Sequence, residues 1–106
     1  SFKRIAQETK GEPDYFRYAF ERLSEFERRS LQVELQMAGL YTANVDGKYG
    51  PSTRRAIVSA PNFIKKNSYN KVAIDLKTVG DLETFLKDIA KGEYSIWFYG
   101  EGNEGF

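Results

Sequence analysis

Phe16, Ala19, Phe20 and Leu23 recur at three- and four-residue spacing, the mark of one helix face. Pro13 suits a first helical position and Asp14 suits the positive end of a helix dipole, so a helix is predicted to begin there. Ser24 and Glu27 have the S-x-x-E spacing of a capping box, in which each side chain satisfies the other's backbone N–H. A new helix, or a kink and restart, is predicted at that point, running through Leu31 and Leu35 to about Ala38 and closed by Gly39 in a left-handed conformation. Leu40 to Gly50 carries Asn44, Asp46, Gly47 and Gly50, a turn-rich connection. Gly50-Pro51 opens a third helix, predicted over 52–59 and stopped by Pro61.

The second half has a different rhythm. Asn62 to Asn70 reads as a loop, and Val72, Ile74 and Leu76 alternate with polar positions as a short strand does. Thr78 to Lys91 is helical, with Leu82, Phe85, Leu86 and Ile89 on one face and Gly92 at its end. Tyr94 to Tyr99 is β-prone, and Gly100 to Phe106 is a glycine-rich, acidic tail. Ser1 to Glu12 is a polar lead-in, and no internal repeat is present. The chain is read as one domain over 1–106, with a helical core at 13–60 and a strand–helix–strand extension at 61–106 packed on it. Pairing of 72–76 with 94–99 would add a two-stranded β ribbon and turn a mainly α fold into α+β.

Composition narrows the chemistry. The chain has no cysteine and no histidine, which removes disulfides, structural zinc sites, Cys–His pairs and Ser–His–Asp triads. Sixteen basic and fifteen acidic residues leave a net charge of +1, too balanced for the field that nucleic acids or anionic membranes require. There is no apolar run of about 18 residues to span a membrane, and no signal peptide is legible at Ser1. Glycoside hydrolysis needs only two carboxylates, but no Glu or Asp stands in an apolar, cleft-like setting, and Glu93 and Glu101 read as solvated ends. The expectation is a non-catalytic protein without metal or cofactor.

One stretch carries more than composition. Leu31-Gln32, Leu35, Gly39, Asp46-Gly47, Tyr49-Gly50, Thr53 and Ala56-Ile57 stand in a register that closely resembles the peptidoglycan-binding domain-like family. Physically, Leu31 and Leu35 share a helix face and Gly39 ends the helix. Asp46-Gly47 makes a bend, Tyr49 folds back on the core, and Gly50-Pro51 with Thr53 starts the next helix. The resemblance covers Glu27 to Ile57. It departs after the third helix, where Ser59-Ala60-Pro61-Asn62-Phe63 replaces the family's aromatic–glutamine pair, and where the chain continues to Phe106.

The resemblance implies a compact three-helix unit, attached to a larger exported protein, that binds the glycan or stem peptide of peptidoglycan in a periplasmic or extracellular setting. Candidate ligand residues on or beside the bend are Tyr41, Thr42, Asn44, Lys48, Arg54 and Arg55. Tyrosine offers a flat apolar face with a hydroxyl, and arginine forks onto carboxylates. The plainer alternative is a packed edge for Tyr41 and a solvated helix face for Arg54 and Arg55. A second candidate surface is Tyr94, Trp97 and Tyr99 beside Phe98, which is either core or a patch for a protein partner. That patch underlies the alternative function, an assembly module on the same scaffold.

Overall fold

A computed structural model of the protein describes residues 14–100, and it is mainly helical. The elements are α1 (Tyr15–Glu21), α2 (Glu25–Met37), α3 (Pro51–Asn67), α4 (Val79–Ala90) and the single turn α5 (Ser95–Phe98). The lead-in, Pro13 and the tail beyond Gly100 lie outside the described residues.

Each start has a local cause. Asp14 Oδ1 accepts from the N–H groups of Phe16 (3.0 Å) and Arg17 (3.2 Å), capping α1. Ser24 and Glu27 form the expected reciprocal box at the start of α2, at 3.1 and 2.9 Å. Thr78 and Asp81 form another at α4. Ends are equally local. Gly39 and Gly92 take left-handed backbones after α2 and α4, and Leu40 N–H and Glu93 N–H reach back to the Leu35 and Asp88 carbonyls.

The core is one cluster. Phe16 and Phe20 of α1, Leu31 and Leu35 of α2, Ile57 and Ile64 of α3, and Leu82, Leu86 and Ile89 of α4 are all fully buried in it. α4 packs mainly on α2 and α1, and α5 packs on α3 and α2. Residues beyond 60 therefore share the hydrophobic cluster of the first three helices.

Three expected elements take other forms. Pro61 does not stop α3, which continues through the predicted loop to Asn67. A mid-helix proline costs about 3 kcal/mol. The apolar face Ala56, Ile57, Ala60, Ile64 continues past it, Pro61 is itself buried, and Phe63 meets Phe98 at 6.0 Å. Burying Ile64 contributes ~1.5–3 kcal/mol and the Phe63–Phe98 ring pair ~0.5–1.5 kcal/mol more, which together offset the proline. The β ribbon does not form among the described residues, since 72–76 is extended without a ladder and 95–98 is helical. The reason lies in Glu34 on α2, whose carboxylate accepts from Ser95 Oγ (2.6 Å) and Tyr99 Oη (2.9 Å). In a strand those two residues would stand ~13 Å apart, whereas one helical turn brings them to the same carboxylate.

α3 also ends in an unusual way. Asn70 N–H bonds the Lys65 carbonyl (2.8 Å) in the manner of a glycine-closed helix, but Tyr69 (φ +55°) occupies the left-handed position. Its side chain is 86% exposed, so packing does not repay the strain. A left-handed backbone costs a non-glycine residue ~1–2 kcal/mol, against ~0.5–1 kcal/mol of extra unfolded-state freedom for glycine. Tyr69→Gly should therefore raise stability by about 0.5–1 kcal/mol in urea denaturation. A loss of stability would show that the exposed ring holds the helix end.

Candidate functional site

The bend after α2 is organised by a side-chain amide. Gln32 is fully buried on the inner face of α2. Its Oε1 accepts from the backbone N–H groups of Asp46 (3.1 Å) and Gly47 (2.8 Å). Its Nε2 donates to the Lys48 carbonyl (3.0 Å), with Thr53 Oγ1 and Tyr41 Oη each 3.3 Å away. Two N–H acceptances and one carbonyl donation define which end of the amide is oxygen. Asp46 Oδ1 accepts from Lys48 N–H (2.9 Å), closing the turn from within. Arg28 adds a brace, donating from Nε to the Gly47 carbonyl (2.8 Å) and from Nη1 to the Leu23 carbonyl (2.7 Å). Gly47 sits at φ +71°, and a Cβ there would lie 3.3 Å from Arg29 Cγ.

A second tie holds the far side of the bend. Tyr49 Oη donates to Asp14 Oδ2 (2.8 Å), and Arg54 Nε stands 3.8 Å from the same oxygen. The Tyr49 ring meets Phe20 at a tilt (5.7 Å between centroids), and the Arg17 guanidinium lies over it (5.4 Å). Burial, and then the bond to Asp14, pushes the Tyr49 phenol well above its ordinary value, so it stays a neutral donor. The cap of α1, the bend and the first turn of α3 thus meet at one carboxylate.

Between these ties lies an open recess of about 350 Å3, lined by Phe20, Glu21, Arg28, Gly47, Lys48 and Tyr49. Its lining is mixed, with Phe20 buried behind it, Tyr49 half-buried and Lys48 exposed. Glu21 is the one carboxylate in the lining. Among the described residues no group of three or more acidic side chains is placed to hold a metal ion.

Of the ligand residues suggested by sequence, the recess takes in Lys48 alone. Thr42 and Asn44 are exposed on the earlier part of the loop. Arg54 is partly buried with its guanidinium over the Phe16 ring (5.1 Å), and exposed Arg55 donates to Ser52 Oγ (3.2 Å). Tyr41 is only 4% exposed, and its hydroxyl donates to the Asn44 carbonyl, so its ring faces the core. Phe20, Glu21 and Arg28 line the recess without having been singled out for it. Arg28 belongs to the motif stretch, but nothing in its spacing announced that it would grip the bend. Among the C-terminal aromatics, Tyr94 packs edge-on to Phe85 (5.4 Å), Trp97 offers its carbonyl to Asn67 Nδ2 (2.7 Å), and Tyr99 is held by Glu34. All three are partly buried against the core.

The Gln32 amide can be tested from both ends. Gln32→Ala strands two N–H groups, that of Gly47 being buried, and should cost about 3 kcal/mol in urea denaturation. Gln32→Glu keeps that acceptor but sets an oxygen against the Lys48 carbonyl, and it should destabilise as well. Wild-type stability for the Glu variant would show that the donor end does nothing.

Asp46 gives a pH signature. The Lys48 N–H that it accepts, opposed in part by desolvation, holds its carboxyl below the usual range. A folded-state value below the unfolded one, about 3.9, stabilises fully above that value and is lost as pH falls through the lower one. Wild-type urea midpoints should therefore decline between about pH 5 and pH 2 more steeply than those of Asp46→Asn, whose side-chain oxygen still accepts from Lys48 N–H. Parallel declines would remove Asp46 from the account.

Compared with known proteins, the chain matches no family model, no curated protein and no solved structure.

Proposed function

We propose that the chain is a non-catalytic peptidoglycan-binding module, working in the periplasm or outside the cell as part of a larger exported protein. The observation that supports this reading most directly is the recess beside the Gln32-clamped bend. Two cations, Arg28 and Lys48, converge there beside Tyr49, on the stretch whose sequence resembles peptidoglycan-binding domains. Stem peptides carry carboxylates, and Lys48 has no ion-pair partner among the described residues. Arg28 spends two of its five N–H groups on backbone carbonyls and keeps three for a ligand. The half-buried Tyr49 ring is already engaged by Phe20 and by the Arg17 guanidinium, so sugar or acyl groups would meet only the part of it left exposed. Affinity of such a site is modest, and its use is to raise the local concentration of whatever is joined to it.

The competing reading, assembly through Tyr94, Trp97 and Tyr99, has less surface to work with, because each ring is already engaged within the molecule.

Co-sedimentation with purified sacculi tests the proposal. The wild-type chain should pellet at low and physiological salt. Lys48→Glu, a change on an exposed side chain, should bind roughly tenfold more weakly, about 1.4 kcal/mol. Wild-type protein left wholly in the supernatant would end the wall-binding reading, and undiminished binding by Lys48→Glu would remove the recess from it.

A further inference from the structure

A second recess of about 270 Å3 lies between α4 and the segment leading into it. That segment is extended and pinned at both ends. Val72 N–H donates to Ser68 Oγ (3.0 Å), and Lys77 N–H donates to Asp81 Oδ2 (3.0 Å). Between the pins, Leu76 is buried and Ile74 half-buried, while Ala73 and Asp75 face solvent, the alternation of a strand. Yet no strand lies beside it among the described residues. The N–H and C=O groups of residues 73–76 make no hydrogen bond to any described residue. A row of unpaired backbone groups in extended form is a ready template for another chain.

The opposite wall identifies what that chain would carry. It is formed by Asp81, Thr84, Phe85 and Asp88 of α4, with Tyr94 edge-on to Phe85 at one end. With Asp75, three carboxylates border the recess, and the cation at its margin, Lys77, is paired with Asp75 at 3.6 Å. An acidic peptide is repelled. A second copy of this chain is disfavoured too. Antiparallel pairing about Ile74 would set Lys71 against Lys77 of the other copy and bring two acidic recesses together.

We propose that this recess takes an extended, lysine- or arginine-bearing segment of a partner protein, which adds a strand along residues 73–76 and directs its basic side chains toward Asp75 and Asp88. Main-chain pairing would supply affinity, and the carboxylates would select charge. The recess shares no lining residue with the one at the bend, so this inference stands or falls separately from wall binding.

The experiment is an amide chemical-shift titration of the isotope-labelled chain with three synthetic hexapeptides. One alternates lysine and valine, one alternates glutamate and valine, and one is the lysine peptide N-methylated on alternate backbone amides. The lysine peptide should shift the amides of Ala73 to Leu76. The glutamate peptide should leave them in place, and N-methylation and Asp88→Asn should each weaken binding, the latter roughly fivefold. Absence of shifts at 73–76 with the lysine peptide, equal shifts with the glutamate peptide, or equal binding by the N-methylated peptide would overturn the proposal. Concentration-dependent shifts at 73–76 without any peptide would overturn it in favour of self-association.

Discussion

The structure depends on a buried amide that has nowhere else to find its partners. An unpaired amide taken out of water costs roughly 2–7 kcal/mol. Gln32, fully buried on α2, is therefore tolerable only if the chain returns with two N–H groups and a carbonyl at the right height. Asp46, Gly47 and Lys48 do this, and the return forces a left-handed backbone at Gly47, where a side chain would strike Arg29. From there Tyr49 reaches Asp14, and Gly50-Pro51 starts α3 beside Thr53, whose hydroxyl stands next to the same amide. One polar residue thus couples the positions of three helices, a specificity that apolar packing alone supplies poorly.

What the amide does not do is close the core. The apolar faces of α1 and α2 are covered largely by α4, whose Leu82, Leu86 and Ile89 come from the half of the chain that the motif does not include. The Arg22–Glu83 pair at 2.9 Å links the end of α1 to α4 at the surface, and Arg22 holds the Glu83 carboxyl below its ordinary range. The extension is thus structural in its own right. It also explains two local irregularities, since α3 must run past Pro61 to bring Ile64 and Phe63 under α5, and must then turn sharply at Tyr69 to send the chain back toward α4.

Local rules made much of this legible. Ser24 with Glu27, and Gly39, each report a requirement that neighbouring residues alone can satisfy. Asp46-Gly47 and the face Leu82, Phe85, Leu86, Ile89 are readable from spacing, although distant residues complete them. Pro61 was misread because the helix beyond it is held by distant Phe98, a contact that no local window contains. Tyr94 to Tyr99 was misread because β propensity is weak and Glu34, sixty-one residues from Ser95, decides the matter. The strand expected over Val72 to Leu76 is only an extended segment among the described residues, because alternation says nothing about whether a neighbouring strand exists. The recess at the bend was only half visible. Lys48 and Tyr49 sit in the motif, whereas Phe20 and Glu21 come from α1 and reach the site only through tertiary packing.

Net charge was the least informative quantity, and the structure shows why. The total of +1 averages over two surfaces of opposite character. Arg28 and Lys48 border one recess, and Asp75, Asp81 and Asp88 border the other. At physiological ionic strength fields decay over about 8 Å, so a ligand in either recess responds to its own walls and hardly to the total. On the two proposals above, an anionic ligand and a cationic one would each be selected by local charge that the net value conceals. The polarity of each surface comes from which helix supplies its side chains: α2 and the bend for the basic recess, α4 and its leading segment for the acidic one. Because the acidic wall belongs to the part of the chain beyond the motif, a selectivity confined to that part could change without disturbing the Gln32 amide on which the bend relies.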